Sequence, residues 1–257
     1  RPGVAYQAPL VEGAPGHGEG HNSGVPLNIT AALAVKAVME QEGLPGTLHI
    51  WPGVAEELLG TKAYFVRAGM FKDVDIVLFT HVSSGMGVNW GSGSGSGLIS
   101  AEYTFHGTAS HAGSSPWRGQ SALDAVELMN IGVNYLREHV TEKVRIHYVI
   151  TNGGKLPNVV PDEAEVWYFL RAHERSELDE ILGRVRKIAE GAAMMTETKM
   201  ESRFRGACSN VLNNHVLADL QYENMKVIGP IEFSEEERDY ARSVNASFPP
   251  ENARNFF

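Results

Sequence analysis

The sequence predicts an α/β protein of 257 residues in which a smaller domain is inserted into a larger one. Residues 28–81 alternate helical and strand patterns, as in a layer with crossover helices. Residues 100–204 instead follow the order strand, helix, strand, strand, helix, strand, which is typical of a ferredoxin-like domain. We therefore predict a larger domain with a parallel-type sheet over residues 1–97 and 208–257, and an inserted domain over residues 98–207.

Composition excludes several classes of protein. The formal net charge is −9 and the 22 Lys and Arg residues are scattered, which argues against a nucleic-acid surface. The sequence has no run of eighteen apolar residues and no signal-peptide pattern at its start, so we expect a cytoplasmic protein without a membrane partner. The single cysteine, Cys208, excludes an internal disulfide and leaves histidine and carboxylate as the available metal ligands.

Two glycine-rich segments are predicted to lie outside regular structure. The opening residues Arg1-Pro2-Gly3 lack a methionine, so we expect earlier elements to precede them. The Gly-Ser run over residues 91–97 is predicted to be a hinge between the domains, with an artificial linker as the alternative.

The first part of the larger domain is predicted to contain two helices and two strands. These are a helix from Asn28 or Thr30 to about Gly43, a strand over residues 47–51, a helix from Glu56 to about Ala68 and a strand over residues 75–81. Functional groups are expected at the carboxyl ends of such strands, if the sheet is parallel.

The inserted domain is predicted from alternating strand patterns and two amphipathic helical patterns. Its elements are strands over residues 100–106, 144–151, 165–171 and 199–204, a helix over residues 121–138, and a helix opened by a capping box of Ser176 with Asp179.

The segment Pro15–Gly24 contains two imidazoles and a carboxylate between glycines. Imidazole and carboxylate are ligands for zinc, manganese and cobalt, whereas the alternative is a solvated surface loop. Further along the chain, Glu56-Glu57 and His81 follow predicted strands, which favours the metal site. For the glutamate pair alone, an acidic first helical turn would be the simpler interpretation.

These motifs, taken together and in order, resemble the co-catalytic metallopeptidase and amidohydrolase family. That family includes carboxypeptidase G, aminoacylase and the plant auxin-conjugate hydrolases. The resemblance depends on GHGEGHN at residues 16–22, Ala55-Glu56-Glu57, His81, Ala109-Ser110-His111-Ala112 and Ser121–Ala125. It implies a metal-binding catalytic domain interrupted by a lid and dimerisation domain.

The resemblance implies four metal ligands for two divalent ions, zinc or manganese: Glu19, His21, Glu57 and His81. It implies that Glu56 is the general base acting on a metal-activated water. Some relatives have a cysteine at the position of Glu19, so the carboxylate favours an oxygen-tolerant ion such as Mn²⁺, although Zn²⁺ also accepts it.

Three residues of the inserted domain also match functional positions of the family. His111 is implied to reach the active site of a neighbouring subunit and stabilise the oxyanion there. Asn158 and Arg171 match positions that recognise a substrate carboxylate. As alternatives, Asn158 is an ordinary turn residue and Arg171 ends a strand in water.

The resemblance thus implies a homodimeric, metal-dependent amidohydrolase that cleaves a small-molecule amide: an N-acyl or N-aroyl amino acid or a peptide-like conjugate. One alternative is a hydrolase-derived protein that binds metal or ligand without turnover. Another is a hydrolase that uses serine or cysteine, although the chain has no Gly-x-Ser-x-Gly elbow.

Overall fold

The computed structural model describes residues 10–12, 20–51, 53, 56, 60–83, 85–90 and 95–247. The chain divides into two compact units. The first comprises residues 1–52, 74–90 and 214–257, and the second comprises residues 53–73 and 91–213. Residues 91–94 of the predicted hinge lie outside the described residues.

The described chain contains helices α1 to α6 and strands β1 to β4. In order they are α1 (His21–Glu42), α2 (Lys62–Arg67), β1 (Gly97–His106), α3 (Ala122–Leu136), β2 (Arg145–Asn152), β3 (Glu163–Ala172), α4 (Arg175–Thr196), β4 (Lys199–Cys208), α5 (His215–Ile228) and α6 (Glu235–Ala246). Within the described residues, no helix is both long and apolar enough to cross a membrane.

Helix α1 begins earlier than the sequence predicts. It starts at His21 rather than at Asn28 or Thr30, and it contains Pro26. Its N-cap residue, Gly20, has a φ of 78°, a conformation that favours glycine, and its carbonyl accepts from the Gly24 N–H at 3.0 Å. Pro26 is the sixth residue of the helix, where it lacks the N–H that would otherwise donate to the Asn22 carbonyl. The C-terminal end at Glu42 agrees with the prediction.

The other elements predicted in this part of the chain are wrong in type or extent. Residues 47–51 and 75–81 form no strand, because neither segment pairs with another described segment. In the region of the second predicted helix, Glu56 is helical, residues 57–59 lie outside the described residues, and a helix covers Lys62–Arg67. Gly60 separates these two parts: its N–H donates to the Glu56 carbonyl at 3.0 Å, and its φ of 53° is a conformation that favours glycine.

The second unit contains a four-stranded antiparallel sheet in the order β2-β3-β1-β4. Along the chain its elements follow the predicted order β1-α3-β2-β3-α4-β4. The central strands β1 and β3 pair over their whole length, with His106 opposite Glu163 at one end and Leu98 opposite Arg171 at the other.

One face of this sheet is covered by α3 and α4. Alternate residues of the central strands point into the resulting core, which explains the alternating strand patterns. The largest buried apolar side chains of this core are Tyr103 and Phe105 of β1, Val166, Tyr168 and Leu170 of β3, Val126, Met129 and Val133 of α3, and Leu178, Ile181 and Val185 of α4.

The sequence predicts the N-terminal cap of α3 correctly and that of α4 incorrectly. Ser121 caps α3 as predicted, since its hydroxyl accepts from the Asp124 N–H at 3.1 Å. The capping box predicted at Ser176 is wrong, because α4 already begins at Arg175. The Asp179 carboxylate instead pairs with the Arg175 guanidinium at 3.0 Å.

Two buried tyrosines occupy the centre of the core. Tyr168 donates a hydrogen bond to Asn130 Oδ1, and Tyr103 packs edge-on against the Tyr168 ring at 5.9 Å between centroids. Burial raises the pKa of Tyr103 to about 12 from 10.0, against a smaller opposing effect of the Arg186 charge. The folded state therefore favours the neutral phenol.

We expect this domain to lose stability in alkali. The contribution of the raised Tyr103 pKa is fully present below pH 10.0, the unfolded value, and is lost as pH rises through about 12. Tyr103→Phe should therefore reduce the slope of the free energy of unfolding against pH in this window, measured by urea denaturation. Tyr135→Phe is the control, since Tyr135 is 67% exposed. An unchanged slope for Tyr103→Phe would contradict this account.

Candidate active site

In the first unit, two predicted metal ligands lie on segments that contact each other. Gly20, which precedes His21, is so close to Val82 that an added Cβ would lie 2.6 Å from Val82 Cγ2. A second tether lies further along, where Asn28 Nδ2 donates to Thr80 Oγ1 at 3.1 Å. The start of α1 therefore lies along residues 80–82, and both His21 and His81 are exposed at this junction.

The His81 ring makes a hydrogen bond of a kind that is common in metal-binding histidines. Its Nδ1 lies 2.8 Å from the carbonyl oxygen of Val82. Because a carbonyl oxygen only accepts, Nδ1 carries the hydrogen and the lone pair of the neutral ring is on Nε2. Histidines that bind metals commonly donate their other N–H to a backbone carbonyl in this way. His81 therefore fits the ligand role.

The carboxylates of the predicted site are not all described. Glu19 and Glu57 lie outside the described residues. Glu56 is described as exposed, in the second unit. Among the side chains that the structure describes, no group of three or more His, Cys, Asp or Glu could hold a metal ion. The full ligand set therefore stays a prediction, with His21 and His81 as the two described members.

In the second unit, the structure brings His111 and Asn158 together. The loop that carries His111 is closed at its base by two hydrogen bonds of 2.9 Å between the main chains of Thr108 and Gln120. His111 forms an isolated bridge with Val159, and the Ala112 N–H donates to the Asn158 carbonyl at 2.9 Å. Two residues predicted to act on substrate are thus held on adjacent backbone segments.

The side chains of these two residues differ in how they are held. The exposed His111 ring accepts hydrogen bonds at Nδ1 from the N–H groups of Gly113 and Ser114, both at 3.1 Å. The Asn158 amide is exposed and makes no hydrogen bond with any described residue. It is therefore available to a ligand.

Arg171 lies at the opposite end of the sheet. The His111 loop leaves the sheet after His106, opposite Glu163, whereas Arg171 lies eight positions further along β3. At about 3.4 Å per residue this separation is about 27 Å. The guanidinium is half-buried and has no hydrogen bond or ion pair with any described residue. Within one chain, Arg171 is therefore not brought together with His111 and Asn158.

Sequence reasoning missed the backbone groups that orient the two histidine rings. The Val82 carbonyl and the N–H groups of Gly113 and Ser114 belong to no side-chain motif. The only sequence signal for the second pair is the short Gly-Ser-Ser-Pro stretch after His111, which is typical of a tight turn. It also missed the Asn28–Thr80 tether, because the sequence favours Asn28 as a helix cap.

Comparisons with known proteins give a family and several relatives. Residues 94–195 match the peptidase dimerisation domain. Over 254 residues the chain is 42% identical to one of the subunits of p-aminobenzoyl-glutamate hydrolase from Escherichia coli (strain K12), covering 98% of this chain and 52% of that protein. It is 30% identical over 227 residues to Xaa-Arg dipeptidase of Mus musculus, covering 86% of this chain and 51% of that protein.

A solved structure is also similar. The crystal structure of an aminobenzoyl-glutamate utilization protein from Klebsiella pneumoniae matches with a TM-score of 0.53 and 25% identity, covering 71% of this chain and 50% of that chain. The chain therefore spans about half the length of the curated relatives it matches.

Proposed function

We propose that this protein is a metal-dependent amidohydrolase, since residues 94–195 match the peptidase dimerisation domain. Its substrate is an N-acyl or N-aroyl amino acid of the p-aminobenzoyl-glutamate type, or a small peptide conjugate, and it cleaves the amide bond of this compound. The observation that carries this proposal is the similarity, along nearly the whole of this chain, to part of a p-aminobenzoyl-glutamate hydrolase.

The proposal is tested by hydrolysis of a substrate panel. The panel contains p-aminobenzoyl-glutamate, dipeptides ending in arginine and N-acetyl amino acids, each assayed with Zn²⁺ or Mn²⁺ and with a chelator. We expect hydrolysis that the chelator abolishes and added metal restores. Metal binding without hydrolysis of any substrate would favour a binding protein, and hydrolysis that resists the chelator would favour a serine or cysteine mechanism.

The residues of the predicted metal site have two roles, metal binding and proton transfer. Glu19, His21, Glu57 and His81 would hold two divalent ions, with zinc or manganese favoured by this ligand set. The ions supply a Lewis acid that polarises the amide carbonyl and makes proton loss from water feasible near neutral pH. Glu56 takes that proton and passes it to the leaving nitrogen, a role that requires its carboxylate not to be a ligand.

Removing either described ligand should release metal. We expect His21→Ala and His81→Ala to lower bound metal and activity together, because water does not replace a protein imidazole in a fixed ligand set. The measurement is metal content of the purified protein by mass spectrometry beside the amide hydrolysis rate. His139→Ala, at an exposed position of the inserted domain, is the control. A full metal complement in either ligand variant would remove that residue from the site.

The positions of the lid residues support a site shared between two chains. A substrate of two amino acids spans only about 7 Å. It cannot reach both Arg171 and His111 of the same chain, which lie at opposite ends of the sheet. We therefore assign substrate-carboxylate recognition to Arg171 and Asn158 and oxyanion stabilisation to His111. Asn158 lies beside His111, so both act on the site of a partner, where they meet that partner's own Arg171.

The sheet of the second unit offers one edge for that pairing. We assign residues 98–207 to a ferredoxin-like lid and dimerisation domain, and residues 1–97 and 208–257 to the catalytic domain. At the β4 edge, Tyr64 Oη donates to the Arg205 carbonyl at 3.4 Å, so α2 already contacts that strand at this carbonyl. The other edge strand, β2, exposes Val149 and Ile150. We therefore propose a homodimer through β2 and the neighbouring α3.

A charge on β2 should disrupt this dimer. Ile150 is 44% exposed, and Ile150→Lys would require a charged side chain to be buried against the partner. We expect the variant to be monomeric by light scattering coupled to size-exclusion chromatography. Met194→Lys is the matched control, because Met194 is an apolar residue of α4, away from β2 and 81% exposed. If Ile150→Lys remains dimeric, the interface lies elsewhere.

A further inference from the structure

The turn after His111 holds both its ring and its main chain. The N–H groups of Gly113 and Ser114 donate to Nδ1 at 3.1 Å each. The His111 carbonyl accepts from the N–H of Ser115 at 2.9 Å. Residues 111–115 therefore fix the direction of the imidazole without using any other side chain.

Two donors at Nδ1 determine which ring nitrogen carries the hydrogen. An N–H group can donate only to a lone pair, so Nδ1 is unprotonated in this arrangement. In the neutral ring the hydrogen is then on Nε2. The other tautomer would place a hydrogen of Nδ1 against the hydrogens of Gly113 and Ser114, and both hydrogen bonds would be lost.

The arrangement at His111 is the opposite of that at His81. The His81 Nδ1 faces a carbonyl oxygen, which puts the lone pair on Nε2. The His111 Nδ1 faces two N–H groups, which puts the hydrogen on Nε2. Nε2 is therefore an acceptor in the histidine predicted to bind metal and a donor in the one predicted to stabilise an oxyanion.

We propose that the backbone turn over residues 111–115 selects the Nε2–H tautomer of His111, and that this N–H is the donor presented to the substrate oxygen as it becomes negative. The second part rests on the proposed function. Gly113 and Ser114 are positioning residues, since they contact the ring and not the substrate. A donor already aimed before reaction stabilises a developing charge without reorganisation.

Nitrogen NMR of protein with ¹⁵N-labelled histidine rings tests the tautomer without any activity measurement. The His111 signals are assigned by their absence in His111→Gln. In the neutral ring we expect Nδ1 to resonate as an unprotonated acceptor and Nε2 as a protonated nitrogen. A dominant Nδ1–H form in the parental protein would overturn the proposal.

A matched pair of variants tests whether the turn makes the selection. Gly113→Pro removes one donor to Nδ1, so the population of the Nδ1–H tautomer should rise. Gly113→Ala keeps the N–H, and its Cβ would lie 3.4 Å from His111 Cε1, so the ring signals should stay as in the parent. An unchanged tautomer ratio in a folded Gly113→Pro protein would overturn selection by the turn. If that variant does not fold, Ser114→Pro removes the other donor and is judged in the same way.

Two side-chain replacements test which nitrogen acts. A glutamine amide reaches about as far as Nε2, whereas an asparagine amide reaches only as far as Nδ1. Losing one oxyanion donor typically lowers turnover by ~10²–10³-fold, so we expect a loss of this size in the turnover of His111→Asn. The His111→Gln variant should remain at least tenfold more active than His111→Asn. Equal losses, or a more active asparagine variant, would overturn the assignment to Nε2. A parental protein that hydrolyses no amide would instead contradict the proposed function, while the NMR result would still decide the tautomer.

Discussion

Replacing Glu56 by glutamine should lower amide hydrolysis by ~10²–10⁴-fold while bound metal stays near its parental level. Glutamine keeps the size of the side chain but cannot take a proton from water or return it to the leaving nitrogen. The exposed position of Glu56 also means that the change removes no buried contact. The loss should therefore fall on kcat and leave the free energy of unfolding unchanged.

This expectation is checked by measuring kcat, metal content and urea denaturation on the same preparation. Glu42→Gln is the control, because Glu42 is an exposed glutamate at the end of α1. Activity of Glu56→Gln within a few fold of the parent would exclude Glu56 as the base. A parallel loss of metal would instead make Glu56 a ligand.

Co-expression of His111→Ala and Glu56→Gln chains should restore activity that neither homodimer has. If His111 completes the site of its partner, each homodimer lacks one essential group at both sites. In the heterodimer one site lacks both groups and the other is complete. We therefore expect about half the parental activity per heterodimer. Both mutant homodimers should be nearly inactive, because one lacks the general base and the other lacks the oxyanion donor.

Two affinity tags allow the heterodimer to be purified away from both homodimers. Co-expression of His111→Ala with His111→Asn is the control, since neither of those chains supplies a donor at the position of Nε2. Heterodimers no more active than the mutant homodimers would contradict the shared site. A monomeric parental protein with full activity would contradict it as well.

The lid was predictable from sequence because its signals are local. The alternating pattern of β3 matches its burial, and the Ser121 hydroxyl makes the predicted cap of α3. In β1 the core residues alternate, but Ser100 and Glu102 between them are buried as well. Ser176 shows the limit of the same reasoning. Its capping box with Asp179 was plausible from spacing, but the Arg175 guanidinium takes the carboxylate and the helix starts at that residue. The spacing allows Asp179 to interact with either Ser176 or Arg175, and the sequence alone does not indicate which interaction forms.

The first unit was less predictable because its elements depend on partners distant in sequence. Residues 47–51 and 75–81 have strand composition, but a strand forms only where another segment supplies hydrogen bonds. The apolar residues of helix α1 do not form one clear face, and none of its 22 residues is buried in this unit. The sequence pattern therefore predicted the end of α1 correctly but not its start.

For the site, sequence identified side-chain types and missed the main chain that orients them. His111 and Asn158 were chosen separately, and the bridge between their segments follows from backbone pairing that no motif encodes. The family pattern likewise gave Arg171 without its distance from His111, which requires the strand register. Roles could be assigned from sequence, whereas the grouping of residues required the structure.

The unequal edges of the lid sheet limit how far the protein can assemble. Sheets with two open edges can add copies at both sides and grow into filaments. Here one carbonyl of β4, that of Arg205, already accepts a hydrogen bond from Tyr64 of α2, and β2 is the edge that we propose for pairing. Two antiparallel β2 strands related by a two-fold axis would use up both open edges at once. In the proposed homodimer, the exposed strand that would otherwise favour self-association is thus the one used for pairing, and that edge is then closed to further copies.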